Sequence, residues 1–305
     1  MAKIKYVQRQ FRSATVVIID AANEIIREYE EDNMTLTVRQ LYYQFIARDI
    51  LSEDWIDPNT GSKNNPKSYG KLSSIISTAR LAGLIDWEAI TDKTRNLQTR
   101  PYWSNPGNII ASAVRAFKVD RWKNQRHRVE VWIEKEALVG IIEPICEELD
   151  VPYFACKGFV SQSEMWSASR RFIRYGEEGI QCIIIHLGDH DPSGIDMSRD
   201  IEDRQNIFLA NNVTVHRIAL NYNQIEEYNP PPNPAKITDT RAKSYMDRFG
   251  ISSWELDALE PRVVRDLVRR SILLYRDEDV YEETINEENG YLETLYRIEA
   301  NWRNL

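Results

Sequence analysis

QCIIIHLGDHDPSG, residues 181–194, decides how this chain is read. Its first seven residues form a near-continuous apolar run, the pattern of a strand buried on both faces of a parallel sheet. The run stops at a glycine, two aspartates and a proline, so a tight turn is expected there. Outward from it, residues 128–133 alternate Val129, Val131 and Ile133 and run directly into Glu134. A helix over 136–149, with Pro144 as a kink, leads to the short strand VPYFA. A helix over 161–175 follows, then the quoted strand, a helix from about Gly194, and a last strand, VTVHRIAL. Such alternation predicts an α/β domain with a parallel sheet and helices on both sides.

Three acids fall at the carboxyl ends of these strands, where sites gather in open α/β sheets. Glu134 follows one strand directly, while Asp189 and Asp191 lie just past another. At i and i+2 in extended chain, the two aspartates point to the same side. With Glu134 they make an all-oxygen donor set, which favours Mg²⁺ or Mn²⁺ over zinc. His127, His186 and His190 have no tetrahedral spacing and are expected to be structural or to brace the acids from behind.

The first half reads as helices. Residues 13–30 carry an amphipathic pattern, and Thr37 is placed to cap VRQLYYQFIARDIL. At about 100° per residue, Val38, Leu41, Tyr42 and Phe45 share one face, and Tyr43 falls outside it with Arg39 one turn earlier. A phenol beside a guanidinium has the makings of a nucleophile; the same spacing suits a tyrosine packed at a domain edge. After a loop over 57–68, SYGKLSSIISTARLAG predicts a helix ending at Gly83. Its apolar face is Tyr69, Leu72, Ile75, Ile76 and Ala79. The opposite face, with Lys71 and Ser74 and with Arg80 on its flank, suits a recognition helix against DNA phosphates or a plain surface helix. LIDWEAITD (84–92) is the candidate wing hairpin.

Charge divides the chain in the same place. The net charge is −8, but residues 1–125 carry 18 Lys+Arg against 14 Asp+Glu, a net of +4, and residues 126–305 carry 21 against 33, a net of −12. A mildly basic binding half, 1–125, joined to an acidic half, 126–305, able to hold a cation is the expectation. The acidic stretch from Asp277 is expected to be a solvated helical tail. No apolar run reaches membrane-spanning length. The basic N-terminus, MAKIKYVQRQFRS, precedes no apolar signal core, and three cysteines make no disulfide framework, so a cytoplasmic, reducing setting is expected.

WIEKEAL (132–138) with LGDHDPSGIDM (187–197) resembles the TOPRIM domain of topoisomerases, primases and related nucleases. The EKEA and D-x-D-P-x-G pair is most similar to the topoisomerase VI A subunit and the related meiotic double-strand-break transesterase. TVRQLYYQF (37–45) stands upstream, like that family's R-x-x-YY motif. The resemblance spans roughly residues 35–220 and implies an N-terminal winged-helix domain, then TOPRIM, then here C-terminal helices. It implies that Tyr43 attacks double-stranded DNA, with Arg39 and Glu134 in catalysis and Mg²⁺ (or Mn²⁺) on Glu134, Asp189 and Asp191. It also implies a homodimer in which one chain's tyrosine meets the other chain's TOPRIM acids and, since no phosphate-binding G-x-x-x-x-G-K-[ST] loop is present, a separate ATPase subunit for strand passage. Two alternatives accompany it: a TOPRIM endonuclease that cuts with metal-activated water, and a DNA-binding regulator without catalysis. The stretch NPPPNPAKITDTRAKSYMDRFGISSWELDALEP (229–261) reads as a functional loop of unassigned role.

Overall fold

The computed structural model describes residues 3–32, 34–90, 102–234 and 239–302. Helices α1 (Ser13–Glu31), α2 (Val38–Ala47) and α3 (Pro66–Leu81) build the N-terminal unit. Thr37 caps α2 in a reciprocal capping box with Gln40. Asn65 caps α3 and Pro66 opens it, two residues earlier than the apolar periodicity indicates. The three helices bury Ile19, Ile25, Leu41, Tyr42, Phe45, Leu72 and Ile76 around one core. Residues 84–90 do not form a hairpin. They make a turn-rich segment that buries Ile85, Ala89 and Ile90, with one isolated β-bridge among the described residues, Leu36 to Ile90; Thr91 and Asp92 of the expected wing lie outside the described residues.

Helix α4 (Pro106–Ala116) leads into the α/β unit, whose strands are β1 (His127–Ile133), β2 (Tyr153–Ala155), β3 (Gln181–Leu187) and β4 (Val213–Ala219). They form one parallel sheet in the order β2-β1-β3-β4. Alternate residues of β3 serve opposite faces, as strand geometry demands. Ile183, Ile185 and Leu187 pack with α5 (Val139–Glu148) and α10 (Pro261–Leu273). Cys182 and Ile184 pack with α6 (Gln162–Glu177) and α7 (Pro192–Ile207). Helices α8 (Tyr222–Tyr228) and α9 (Ala242–Phe249), with a two-residue ladder between β5 (Asn233–Pro234) and β6 (Ser252–Ser253), carry the chain back across the carboxyl end of the sheet.

Helix α11 (Glu278–Asn301) is not simply a solvated tail. Tyr281, Thr284 and Glu288 are buried, Tyr281 meets Trp122 of the sheet core edge to face, and Tyr291 meets Phe117 at the end of α4. Acidic composition hid this because the apolar contacts recur only once per turn. The eleven α-helices among the described residues include none long and apolar enough to cross a membrane.

Candidate functional site

Sheet register builds the acid cluster. Ile133 of β1 pairs with Leu187 of β3, so the residues after each strand, Glu134 and Gly188, emerge side by side. The Glu134 Oε2 atom accepts the Asp189 backbone N–H at 2.8 Å. Asp189 Oδ1 accepts the Leu256 N–H at 2.8 Å and pairs with the Lys135 ammonium at 3.0 Å. Asp191 caps α7, its Oδ1 accepting from Gly194 N–H at 2.6 Å. Close approach explains the two glycines: a Cβ on Gly188 would lie 2.8 Å from Glu134 Oε2, and one on Gly194 would lie 2.2 Å from the Asp189 carbonyl. Arg217 braces the turn from β4, donating to the carbonyls of Gly188, Asp189 and Gly194.

Burial dominates the electrostatics. It raises the Asp189 carboxyl to about 7, against the pull of Lys135, and it raises Glu134 as well. Two neighbouring desolvated carboxyls are a state that a hard cation relieves, and among the described residues the hydrogen bonds engage one oxygen of each of the three acids, Glu134 Oε2, Asp189 Oδ1 and Asp191 Oδ1. The donor chemistry therefore fits Mg²⁺ or Mn²⁺. Among the described residues, no group of three His, Cys, Asp or Glu side chains is already arranged as a metal cage. His186 is buried against Ser198 and lowered to about 3 by desolvation; His190 packs among Tyr222, Tyr245, Phe249 and Trp254 and is lowered to about 4, again chiefly by burial.

Tyr43 is off the core of the three helices, as the wheel indicates, yet it is only 3% exposed. The cover comes from the second half of the chain, which a single-helix wheel cannot see. Arg39 donates to the Tyr43 hydroxyl at 3.3 Å and to Asp257 at 2.7 Å, and it also pairs with Glu255. Lys135 then joins Glu255 and Asp257, each at 2.9 Å. One ionic chain thus runs from Tyr43 through Arg39, the two acids and Lys135 to Asp189. Burial, then Asp257 and Glu255, raise the Tyr43 phenol well above its ordinary range, outweighing Arg39 and Lys135.

Comparison with protein families, with curated proteins and with solved structures finds no match. The site therefore rests on its own geometry. Of the DNA-facing candidates, Ser74 lies on α3 and Lys71 stacks 3.9 Å from the Trp55 ring centroid while pairing with Asp54 at 3.3 Å. Arg80 turns inward, donating to the carbonyls of Trp87 at 2.6 Å and Ile90 at 3.1 Å. The sequence reading did not single out Lys135, Arg217, Glu255 or Asp257. Lys135 stands inside EKEA, and the Glu-x-Asp of WELDALEP repeats the i, i+2 acid spacing of Asp189 and Asp191.

Proposed function

We propose that this chain cleaves duplex DNA by metal-dependent phosphodiester chemistry, as a winged-helix and TOPRIM protein of the topoisomerase VI A kind. The observation that carries the reading is the ionic chain linking the Tyr43 hydroxyl to the acid cluster, across two adjoining cavities of about 200 and 530 Å³ that share Arg39 and Glu255. Glu134, Asp189 and Asp191 would hold Mg²⁺ or Mn²⁺, whose contribution when bound is to stabilise charge on the departing 3′ oxygen. Tyr43 attacks phosphorus and remains joined to one DNA end, its proton leaving to solvent or a nearby carboxylate. Arg39 stabilises the crowded phosphorane charge. The helical half, with Lys71 and Ser74 exposed on or beside α3, grips backbone phosphates. Because the ionic path from Tyr43 to Asp189 lies within one chain, each copy of a homodimer would make one nick with its own tyrosine and acids, in place of the exchange between copies that the resemblance implies. A separate ATPase subunit would be needed for strand passage.

The test is direct: incubate end-labelled duplex with Mg²⁺ or Mn²⁺, quench with denaturant, and look for DNA covalently bound to protein. A second reading, hydrolysis by water at the same acids, draws support from the buried and protonated state of Tyr43. Cleavage that leaves free ends and no adduct selects it.

A further inference from the structure

The cations of the ionic chain are already occupied, and by an anion of unusual placement. Glu255 Oε2 receives both Arg39 and Lys135, while Oε1 receives Asn233 Nδ2 at 3.3 Å. Asn233 is itself held from the helical half by Asn64 at 2.8 Å. Asp257 also bridges the two cations, through different oxygens, but its side chain is 1% exposed whereas that of Glu255 is 27% exposed. Asp257 is the permanent counter-ion; Glu255 stands at the rim where the two cavities meet.

Arg39 and Lys135 each pair with both Asp257 and Glu255, and Lys135 reaches Asp189 as well. A phosphodiester is also a monoanion, and its two free oxygens offer an arginine and a lysine the same fork as a carboxylate. Replacing Glu255 by such a group would preserve the charge of the cluster. The exchange needs only a side-chain rotation, because the neighbouring Leu256 N–H stays fixed on Asp189.

We propose that Arg39 and Lys135 form a phosphodiester seat between the two halves of the chain, and that Glu255 is its internal occupant, displaced when DNA binds. This rests on the DNA-cleavage reading and names the subsite that engages the substrate backbone. It also makes the resting chain self-restrained, since the same carboxylate that fills the seat helps cover Tyr43.

The experiment is equilibrium binding of a short fluorescein-labelled duplex in EDTA, where no metal-dependent chemistry proceeds. Glu255→Gln should bind about fivefold more tightly than wild type, because two partly buried cations lose a competing partner. Glu136→Gln, which removes an equal charge from the rim of the same cavity, controls for net charge and should change little. Adding Arg39→Gln to Glu255→Gln should erase the gain. Glu255→Asp, which keeps the charge but shortens its reach, should gain less in the same direction, and serves if the glutamine variant melts early. Affinity no higher in either Glu255 variant than in Glu136→Gln overturns the seat. A chain that shows this pattern yet never cuts DNA refutes the cleavage reading instead.

Discussion

Arg39 and Asp257 are 218 residues apart in sequence and 2.7 Å apart in space, so the contact that orients the α2 guanidinium is made by a segment near the end of the chain. Asp257 is nearly inaccessible and serves Lys135 as well. Asp257→Asn would leave two cations short of a partner. We expect a loss of about 2–4 kcal/mol, the buried-pair penalty reduced for the half-exposed Arg39. Urea denaturation checks this, and an unchanged midpoint would show that the pair does not hold the halves together.

The docking of α11 should be acid-sensitive. Glu288 accepts from the Val119 N–H at 3.0 Å and pairs with Arg121 at 2.6 Å. The Arg121 hydrogen bond, opposed by burial, lowers its carboxyl below the usual range. A depressed acid contributes stability that is complete above the unfolded value, about 4.3, and that is lost as pH falls through the folded value. Wild type should therefore lose more melting temperature between neutral and acid pH than Glu288→Gln. Parallel melting curves across that range would refute the assignment.

The acid cluster can be tested without breaking its scaffold. Asn is as good a helix cap as Asp, so Asp191→Asn keeps the α7 cap while removing the charge. Asp191→Ala should cost about 1 kcal/mol in addition. Asp189→Asn retains an oxygen for the Leu256 N–H. Both asparagine variants, and Glu134→Gln, should fold and lose metal-dependent cleavage. Full cleavage by Asp189→Asn/Asp191→Asn would remove the acids from the chemistry.

The alternation of strand and helix around residues 181–194 was legible because burial on both faces of a sheet leaves a continuous apolar run that sequence records. The same pattern located Glu134, Asp189 and Asp191 at strand ends. What could not be read was distance across the chain. Nothing near VRQLYYQF indicates that WELDALEP covers it, and Arg80 looks like a phosphate ligand until the carbonyls of Trp87 and Ile90 are seen around it. Ion pairs have no period, and so Lys135, Glu255 and Asp257 became functional candidates only in three dimensions.

That difference between Arg80 and Lys71 is measurable. Lys71→Ala should leave stability nearly unchanged and lower the salt dependence of duplex binding by one phosphate contact, a slope change of ~0.9. Arg80→Ala should instead cost about 1–3 kcal/mol by leaving the Trp87 and Ile90 carbonyls without their donor, with the slope unaffected. A slope unchanged in Lys71→Ala moves the DNA surface away from α3.

The two tyrosines of α2 should separate structure from chemistry. The Tyr42 hydroxyl donates toward the carbonyls of Lys63 and Asn65, at 2.9 and 3.2 Å, and accepts the Asn65 N–H at 3.0 Å. It fixes the turn that caps α3, so Tyr42→Phe should lose about 1–2 kcal/mol through unpaired buried groups while keeping residual cleavage. Among the described residues, the Tyr43 hydroxyl's hydrogen bond is the 3.3 Å contact from Arg39, and Tyr43→Phe preserves the ring packed between α2 and the Glu255–Asp257 segment. Its stability should therefore stay close to wild type. If Tyr43 is the nucleophile, this variant binds DNA and forms no adduct, and cleavage disappears. If it still cuts and leaves free 5′ and 3′ ends, water at the acid cluster is the nucleophile, and Arg39 is left as the residue of this helix that meets phosphate.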